Sequence, residues 1–348
     1  MTDIFKLTND YQFGEIHFKQ CQKTGMKAII AIHNTKLGPS LGGLRFVNYN
    51  NTEQAIIDVL RLAQGMSYKS AMSNLPLGGG KAVIIKPNHE FSREDYMLSF
   101  GEFVESLNGR YITALDSGTE LSDMEIIATK TDYLASSSYY GDPSPYTVDG
   151  IIQGIKAACF VKFGTNQLSD FTFAVQGLGH VGYGVAKILT ALGSHLYITD
   201  IDTSKAKKIA NELHQSYVAP EEIYAAHCDV FVPCALGGII NEQTLPQLNC
   251  KVIAGGANNQ LNNLSIAHQL HQNNVLYVPD YIINAGGLIY ASGRYFHHSA
   301  HHIEVQIQDI YQRIVDISIQ SIEENTPPSM IVDTIAKQKI SEKTICVF

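Results

Sequence analysis

Apolar and polar positions alternate in short blocks along the first 140 residues. The runs 27–35 (KAIIAIHNT), 44–50 (LRFVNYN), 81–87 (KAVIIKP) and 110–116 (RYITALD) are rich in β-branched residues, and the pattern predicts strands. Between them, 51–73 carries apolar residues at helical spacing behind Asn51, a natural cap. Ser92 opens a second helix, stopped by Asn108-Gly109, and Ser122-x-x-Glu125 matches the capping box of a third. One α/β layer accounts for all of these elements.

Residues 137–147 (SSYYGDPSPYT) gather Ser, Gly and Pro between periodic segments, and we place a domain boundary there. After a helix within 150–164, apolar strands alternate with helices: FTFAVQG, HVGYGVAKILTALG, HLYITD, SKAKKIANEL, DVFVPCA, KVIAGGA, SIAHQLHQN and VLYVPD. That alternation predicts right-handed crossovers and a doubly wound parallel sheet covered on both faces. The expected architecture is α/β in two domains, 1–138 and 139–319. The last 30 residues are amphipathic, and 320–348 has the composition to pack back on either domain.

With 348 residues, 45% hydrophobic and 17% charged, the chain has soluble composition and enough length for two cores. A net charge of −8 argues against nucleic-acid binding, which favours a basic face. Cysteines 21, 159, 228, 234, 250 and 346 form no C-x-x-C pair, so reduced thiols in a cytoplasmic protein are expected. The N-terminal stretch MTDIFKLTNDYQFGE lacks the pattern of a signal peptide, and no apolar run approaches the ~20 residues of a membrane span.

The sharpest local motif is VQGLGHVGYGVA, with Gly177, Gly179 and Gly182 in G-x-G-x-x-G register between a predicted strand and helix. The first glycine makes a tight turn, the second admits a pyrophosphate, and the third lets helix and strand pack closely. Leu178, His180 and Val181 complete the turn whose helix N-terminus favours phosphate. The next strand ends in Asp200, placed to accept hydrogen bonds from ribose hydroxyls and to repel a 2′-phosphate. A Rossmann-type domain that binds NAD in preference to NADP is therefore expected. Two later strand ends, PCALGGII (233–240, with Cys234 and Ala235) and GGANNQL (255–261), also lie where such sheets bind ligands. Asn258 and Asn259 read either as ligand-binding amides or as amides that close a turn.

In the first half, LPLGGGKAVII (75–85) places three glycines before Lys81. Taken alone, the motif reads as a loop with a solvated lysine. A lysine is a poor base at neutral pH unless burial or a second cation disfavours its charge, and glycines would then give ligands room to approach it. LGPSLGGLR (37–45), GMSYKS (65–70) and TALDSGT (113–119) add a glycine pair, Met66 and Lys69 on one helical face, and Asp116 at a strand end.

The ordered set L-G-G, G-M-x-Y-K, G-G-G-K, D-x-G-T, G-L-G-x-V-G and A-N-N-Q-L resembles the glutamate, leucine, phenylalanine and valine dehydrogenase family, over about residues 12–290. It is most similar to the leucine dehydrogenase branch. The resemblance implies NAD-dependent oxidative deamination of an L-amino acid to a 2-oxo acid, with release of ammonia. It implies that Lys81 activates water, Asp116 shuttles protons and Lys69 binds the substrate carboxylate, with Met66, Gly42, Gly43 and Asn258 around the substrate. Leu41, Ala114, Leu288 and Ala291 align with the side-chain pocket. Glutamate-specific members carry lysine at the position of Leu41, so an apolar substrate such as leucine, valine or isoleucine is expected. Burying an unpaired carboxylate costs several kcal/mol, whereas a methylene misfit costs about 1–3 kcal/mol, so apolar substrates are not separated by this argument. Ala291 leaves phenylalanine or tryptophan open. For the cofactor, the resemblance adds Thr147 and Asn284 to Gly177, Leu178, Gly179, His180, Val181, Gly182, Asp200, Cys234, Ala235 and Asn258. It also implies a homo-oligomer, dimer or octamer, with the first domain carrying the dimer contacts.

Two places depart from the family. Leu115 and Ser117 flank Asp116 where the branch more often has a polar residue and valine, and ASGRYFHHSAHHIEV replaces an acidic continuation after Tyr290. Histidines 297, 298, 301 and 302 offer metal-binding spacing, but a solvated helix face is the simpler reading and no metal is expected. A non-catalytic NAD-binding regulator is disfavoured by retention of Lys69, Lys81 and Asp116. A hydroxy-acid dehydrogenase would need a histidine and arginine constellation that the sequence does not place.

Overall fold

The computed structural model describes residues 4–11 and 14–342. The chain divides into two compact units: Met1–Asp142 with Ala291–His298 and Ile335–Phe348, and Pro143–Tyr290 with Ser299–Thr334. Residues 139–142 and 291–298, placed in the second domain on sequence grounds, thus cluster with the first unit. Residues 320–334 cluster with the second, while Cys346 and the end of the C-terminal segment lie outside the described residues, as do residues 1–3.

The first unit contains α1 (Ile4–Asp10), β1 (Glu15–Gln20), β2 (Lys27–Asn34), β3 (Ser40–Val47), α2 (Thr52–Met72), β4 (Gly78–Ile85), α3 (Arg93–Glu105), β5 (Tyr111–Leu115) and α4 (Leu121–Ala128). Its sheet has the order β1-β2-β4-β3-β5, with β3 parallel to β4 and β5, and β2 antiparallel to β1 and β4. Side chains alternate between the two faces of each strand. Ile29, Ala31 and Val83 bury against Ile56, Val59, Leu60 and Ala63 of α2. Ile30, Leu44, Ala82 and Ile84 bury on the opposite face, against Met97 and Phe100 of α3 and Met124 and Ile127 of α4.

Asn51 and Ser92 cap α2 and α3 as their sequences predict, accepting from Gln54 N at 2.9 Å and Asp95 N at 3.2 Å. Three expectations need correction. The α4 box is built two residues earlier than Ser122 and Glu125: Asp123 accepts from Glu120 N at 2.7 Å, and Glu125 instead accepts from Ser138 N at 2.6 Å. Strands β3 and β4 begin at Ser40 and Gly78, not at 44 and 81, because their glycines are inside the sheet. Glycine disfavours strand interiors, so propensity hides this until the packing is known.

The second unit contains α5 (Ser144–Phe163), β6 (Thr172–Gln176), α6 (His180–Ala191), β7 (His195–Thr199), α7 (Thr203–Leu213), β8 (Ser216–Tyr217), β9 (Val230–Pro233), β10 (Val252–Ile253), α8 (Leu264–Gln272), β11 (Leu276–Tyr277) and α9 (Asp280–Ile283). Helices α10 (Gly286–Tyr295), α11 (Ala300–Glu324) and α12 (Pro328–Glu342) follow. All six strands are parallel, in the order β11-β10-β9-β6-β7-β8. Counted from β6, that is 3-2-1-4-5-6 read from the β8 edge, the Rossmann arrangement, with its switch point between β6 and β9. The two-residue β8 is too short to leave a periodic signal. Among the described residues no helix is long and apolar enough to cross a membrane, and the five described cysteines are free thiols.

Candidate active site

Lys81 is the fourth residue of β4, paired with Ala31 of β2, and its side chain shares the α2 face with Gly79 and Val83. It is buried, only 7% exposed, which excludes the solvated loop. The three glycines before it do not serve as ligand clearance. A Cβ on Gly79 would stand 2.5 Å from Ser67 Oγ and 2.6 Å from the Ala63 carbonyl oxygen, both on α2. One on Gly80 would stand 2.8 Å from the Tyr111 ring, and one on Gly78 would collide with the Asn34 carbonyl. The glycines let a helix, a ring and a neighbouring strand close around β4, and that closure buries Lys81.

The same packing brings Asp116 to the lysine. A Cβ on Gly43 would lie 2.7 Å from Asp116 Cβ, so the glycine admits the aspartate against β3. Gly42 is pressed against the Gly80 carbonyl, and its own carbonyl accepts from Tyr111 OH at 2.6 Å. Asp116 Oδ2 pairs with Lys81 Nζ and accepts from Arg45 Nε at 3.3 Å. Oδ1 accepts from Ser117 N at 2.7 Å and Ser117 Oγ at 3.3 Å. Burial alone would raise the Asp116 carboxyl, but the Lys81 and Arg45 cations outweigh it and hold the group well below the usual carboxylate range. The structure therefore joins Lys81 and Asp116 as an ion pair. Leu41 and Ala114 are buried beside them, Leu41 opposite Gly79 and Ala114 opposite Gly43. Met66 and Lys69 are half-buried in the last turns of α2.

In the second unit the carboxyl ends of the strands carry the nucleotide motif. Gly177 has φ 90°, and a Cβ on Gly182 would strike the Gly177 carbonyl and stand 3.0 Å from Cys234 Cβ. Gly179 differs: it caps α6, and a Cβ there would have no heavy atom within 4 Å. Asp200 Oδ2 accepts from Leu178 N at 2.7 Å and Oδ1 from Asp202 N at 3.0 Å, leaving lone pairs on both oxygens. Asn284 donates to the Gly256 carbonyl at 3.1 Å and to Asn258 Oδ1 at 2.8 Å, while its own Oδ1 is buried with no partner among the described residues. Thr147 abuts Gly287, where a Cβ would stand 2.5 Å from its Oγ1. An open glycine at a helix N-terminus, a strand-end carboxylate and an orphaned amide oxygen suit phosphate, ribose and a carboxamide donor respectively.

Family descriptions match both units: "Glu/Leu/Phe/Val dehydrogenase, dimerisation domain" over residues 12–133 and "Glutamate/Leucine/Phenylalanine/Valine dehydrogenase" over 197–342. The leucine dehydrogenase of Bacillus subtilis is 42% identical over 342 residues, covering 97% of this chain and 94% of that protein. The chain belongs to the Glu/Leu/Phe/Val dehydrogenase family. It is 40% identical over 328 residues to the phenylalanine dehydrogenase of Lysinibacillus sphaericus, covering 92% of this chain and 86% of that one. The crystal structure of L-tryptophan dehydrogenase from Nostoc punctiforme superposes with a TM-score of 0.85 at 37% identity, covering 98% of this chain and 99% of that chain. The resemblance carried by the ordered motifs, and the α/β fold expected from it, are borne out.

For this family member the remaining positions fall as follows. Leu288 and Ala291 lie three residues apart on one face of α10. Ala235 is exposed after β9, and Cys234 has its thiol pushed up to about 11 by burial. His298 packs on Phe296, and His301 and His302 open α11. Sequence reasoning missed Arg45 and Asp58, because an arginine behind L-G-G and an aspartate in an amphipathic helix look like solvated charges. It also missed Ile201 and Leu236, 94% and 82% exposed two and three residues beyond the ends of β7 and β9, whose signal was an apolar residue in the loop after a strand.

Proposed function

We propose that this protein catalyses NAD-dependent oxidative deamination of an apolar L-amino acid, with leucine, valine or isoleucine preferred. The observation that carries the reading is the ion pair of buried Lys81 with half-buried Asp116. Lys69 binds the substrate carboxylate, and the family resemblance assigns contacts with the rest of the substrate to Met66, Gly42, Gly43, Leu41, Ala114 and Ala291 of the first unit and to Leu288 and Asn258 of the second. Bound NAD would supply the acceptor for the Cα hydride, leaving the imino acid. Lys81 Nζ takes a proton from the water that attacks the imine carbon, and Asp116 relays a proton to the departing nitrogen. Amino acid, water and NAD become 2-oxo acid, ammonium, NADH and one proton. Charged Lys81 cannot accept that proton, so the pair must first shed one, and activity rises with pH on that limb.

Thr147, Gly177 to Gly182, Asp200, Cys234, Ala235, Asn258 and Asn284 hold the dinucleotide. The Asp200 carboxylate favours an unmodified ribose, hence NAD over NADP, and Ile201 beside it offers an apolar surface to adenine. A homo-oligomer, dimer or octamer, belongs to the same reading, supported by the dimerisation-domain description of the first match. So does a cytoplasmic location.

The test is absorbance at the NADH band with purified protein, NAD and L-leucine, valine, isoleucine, phenylalanine, tryptophan or glutamate. Reduction with an aliphatic member and none with glutamate is expected. Preference for phenylalanine or tryptophan would reassign the pocket, and preference for glutamate would refute the role given to Leu41.

A further inference from the structure

Asp116 is the inner end of a longer chain of charges. Arg45 sits on β3 two residues after Gly43 and on the same face. Its Nε reaches Asp116 Oδ2 at 3.3 Å, and its Nη1 reaches Asp58 Oδ1 and Oδ2 on α2 at 3.1 and 2.9 Å. Tyr49 OH donates to Asp58 Oδ2 at 2.8 Å. We propose that Arg45 is a positioning residue for the Lys81–Asp116 pair, held in place by Asp58 and Tyr49, and that this chain sets the pH at which the pair gives up its proton. The inference rests on the dehydrogenase reading above.

A carboxylate offers about four lone-pair sites, and Lys81, Arg45, Ser117 N and Ser117 Oγ fill those of Asp116. Asp116 takes a proton only when one donor withdraws. The backbone N–H of Ser117 does not rotate and the Arg45 fork is pinned on its far side by Asp58, so the donors that can yield are the exposed Ser117 hydroxyl, at 3.3 Å, and the flexible arm of Lys81. Arg45 then keeps Oδ2 turned towards the lysine. Its positive charge disfavours a proton on the pair, and Asp58 offsets part of that charge. Lys81 from β4 and Arg45 from β3 act on Asp116, Ser117 and Thr119 bond to it from the loop after β5, its charge reaches Tyr49 and Tyr111, and Asp58 and Arg61 of α2 lie on the far side of Arg45. Lys69 follows Asp58 by 11 residues, three turns along the same helical face.

The experiment is the pH profile of kcat/KM for the wild type, Arg45→Met, Arg45→Lys and Asp58→Asn. Removing the cation in Arg45→Met should move the ascending limb up by about one pH unit. Asp58→Asn, which leaves the Arg45 charge uncompensated, should move it down by a smaller amount. Arg45→Lys should keep the limb near its wild-type position with a lower kcat, because an ammonium cannot span both carboxylates. A merely structural role would lower activity without opposite shifts, so shifts of the same sign, or none, overturn the proposal. If Arg45→Met does not fold, an unshifted or upward-shifted Asp58→Asn profile overturns it equally. No turnover by the wild type with any amino acid would instead overturn the dehydrogenase reading, and this inference with it.

Discussion

Gly79→Ala puts one methyl group at the closest point between β4 and α2. Ordinary carbon contacts lie at 3.4–4 Å, whereas the new Cβ would stand 2.5 Å from Ser67 Oγ and nearer still to Ser67 N. Neither neighbour is a flexible tip, since both belong to a helix of 21 residues packed along its length on the sheet. The helix must retreat by about an ångström, which costs about 1–3 kcal/mol in strained packing. The retreat also stretches the buried His33–Ser67 hydrogen bond, 2.8 Å long, and the Ser70–Gly78 bond, 3.3 Å. Leaving a buried group unpaired adds about 1–3 kcal/mol. A loss near 3 kcal/mol lowers the melting transition of a domain of this size by about 6–12 °C. The assay is a thermal melt followed by circular dichroism without ligands, because the clash exists in the protein alone. An unchanged melt with weakened amino-acid binding would refute this reasoning and return the glycines to the role of ligand clearance.

Other predictions follow from the same geometry. Lys81→Ala should abolish turnover while NAD binding, measured by fluorescence titration, survives; lost NAD affinity with normal turnover would contradict the roles assigned. Asp200→Ala should weaken NAD and relax its preference over NADP, and an unchanged ratio would reduce Asp200 to its bonds with Leu178 and Asp202. His33 is 8% exposed, and burial lowers its imidazole from 6.5 to about 4. Between those values the unfolded chain binds a proton that the folded one refuses, so stability should fall as pH drops from 6.5 towards 4, by on the order of 3 kcal/mol in all. Denaturant titrations across that range should show a flatter slope for His33→Gln, and an identical slope would place the acid sensitivity elsewhere.

Strand and helix order in the second unit was readable because each segment is apolar with a clear period and punctuated by Gly, Asp or Pro. The nucleotide turn was readable for the same reason: G-x-G-x-x-G stands between a strand and a helix, and only glycine tolerates the Gly177 and Gly182 contacts. Strands β3 and β4 were read three or four residues short, since their first residues include glycines that make sense only against a neighbouring element. Lys81, Asp116 and Lys69 entered through ordered motifs rather than through periodicity. Arg45 and Asp58 left no local trace, because they are 13 positions apart in sequence and meet only when α2 folds over the sheet. The reason for the G-G-G run was misread: helix, ring and strand fill the space that sequence reasoning had kept for a ligand.

The most direct test of the account is a single turnover with L-leucine deuterated at Cα, NAD and excess enzyme, with NADH analysed by mass spectrometry and ammonia counted. Deuterated NADH and ammonia in equal amounts are the predicted result. Unlabelled NADH or ammonia without NADH would contradict the assignment of oxidative deamination to this protein, as would neither product, despite saturating NAD, with leucine and with valine, isoleucine, phenylalanine and tryptophan labelled in the same way.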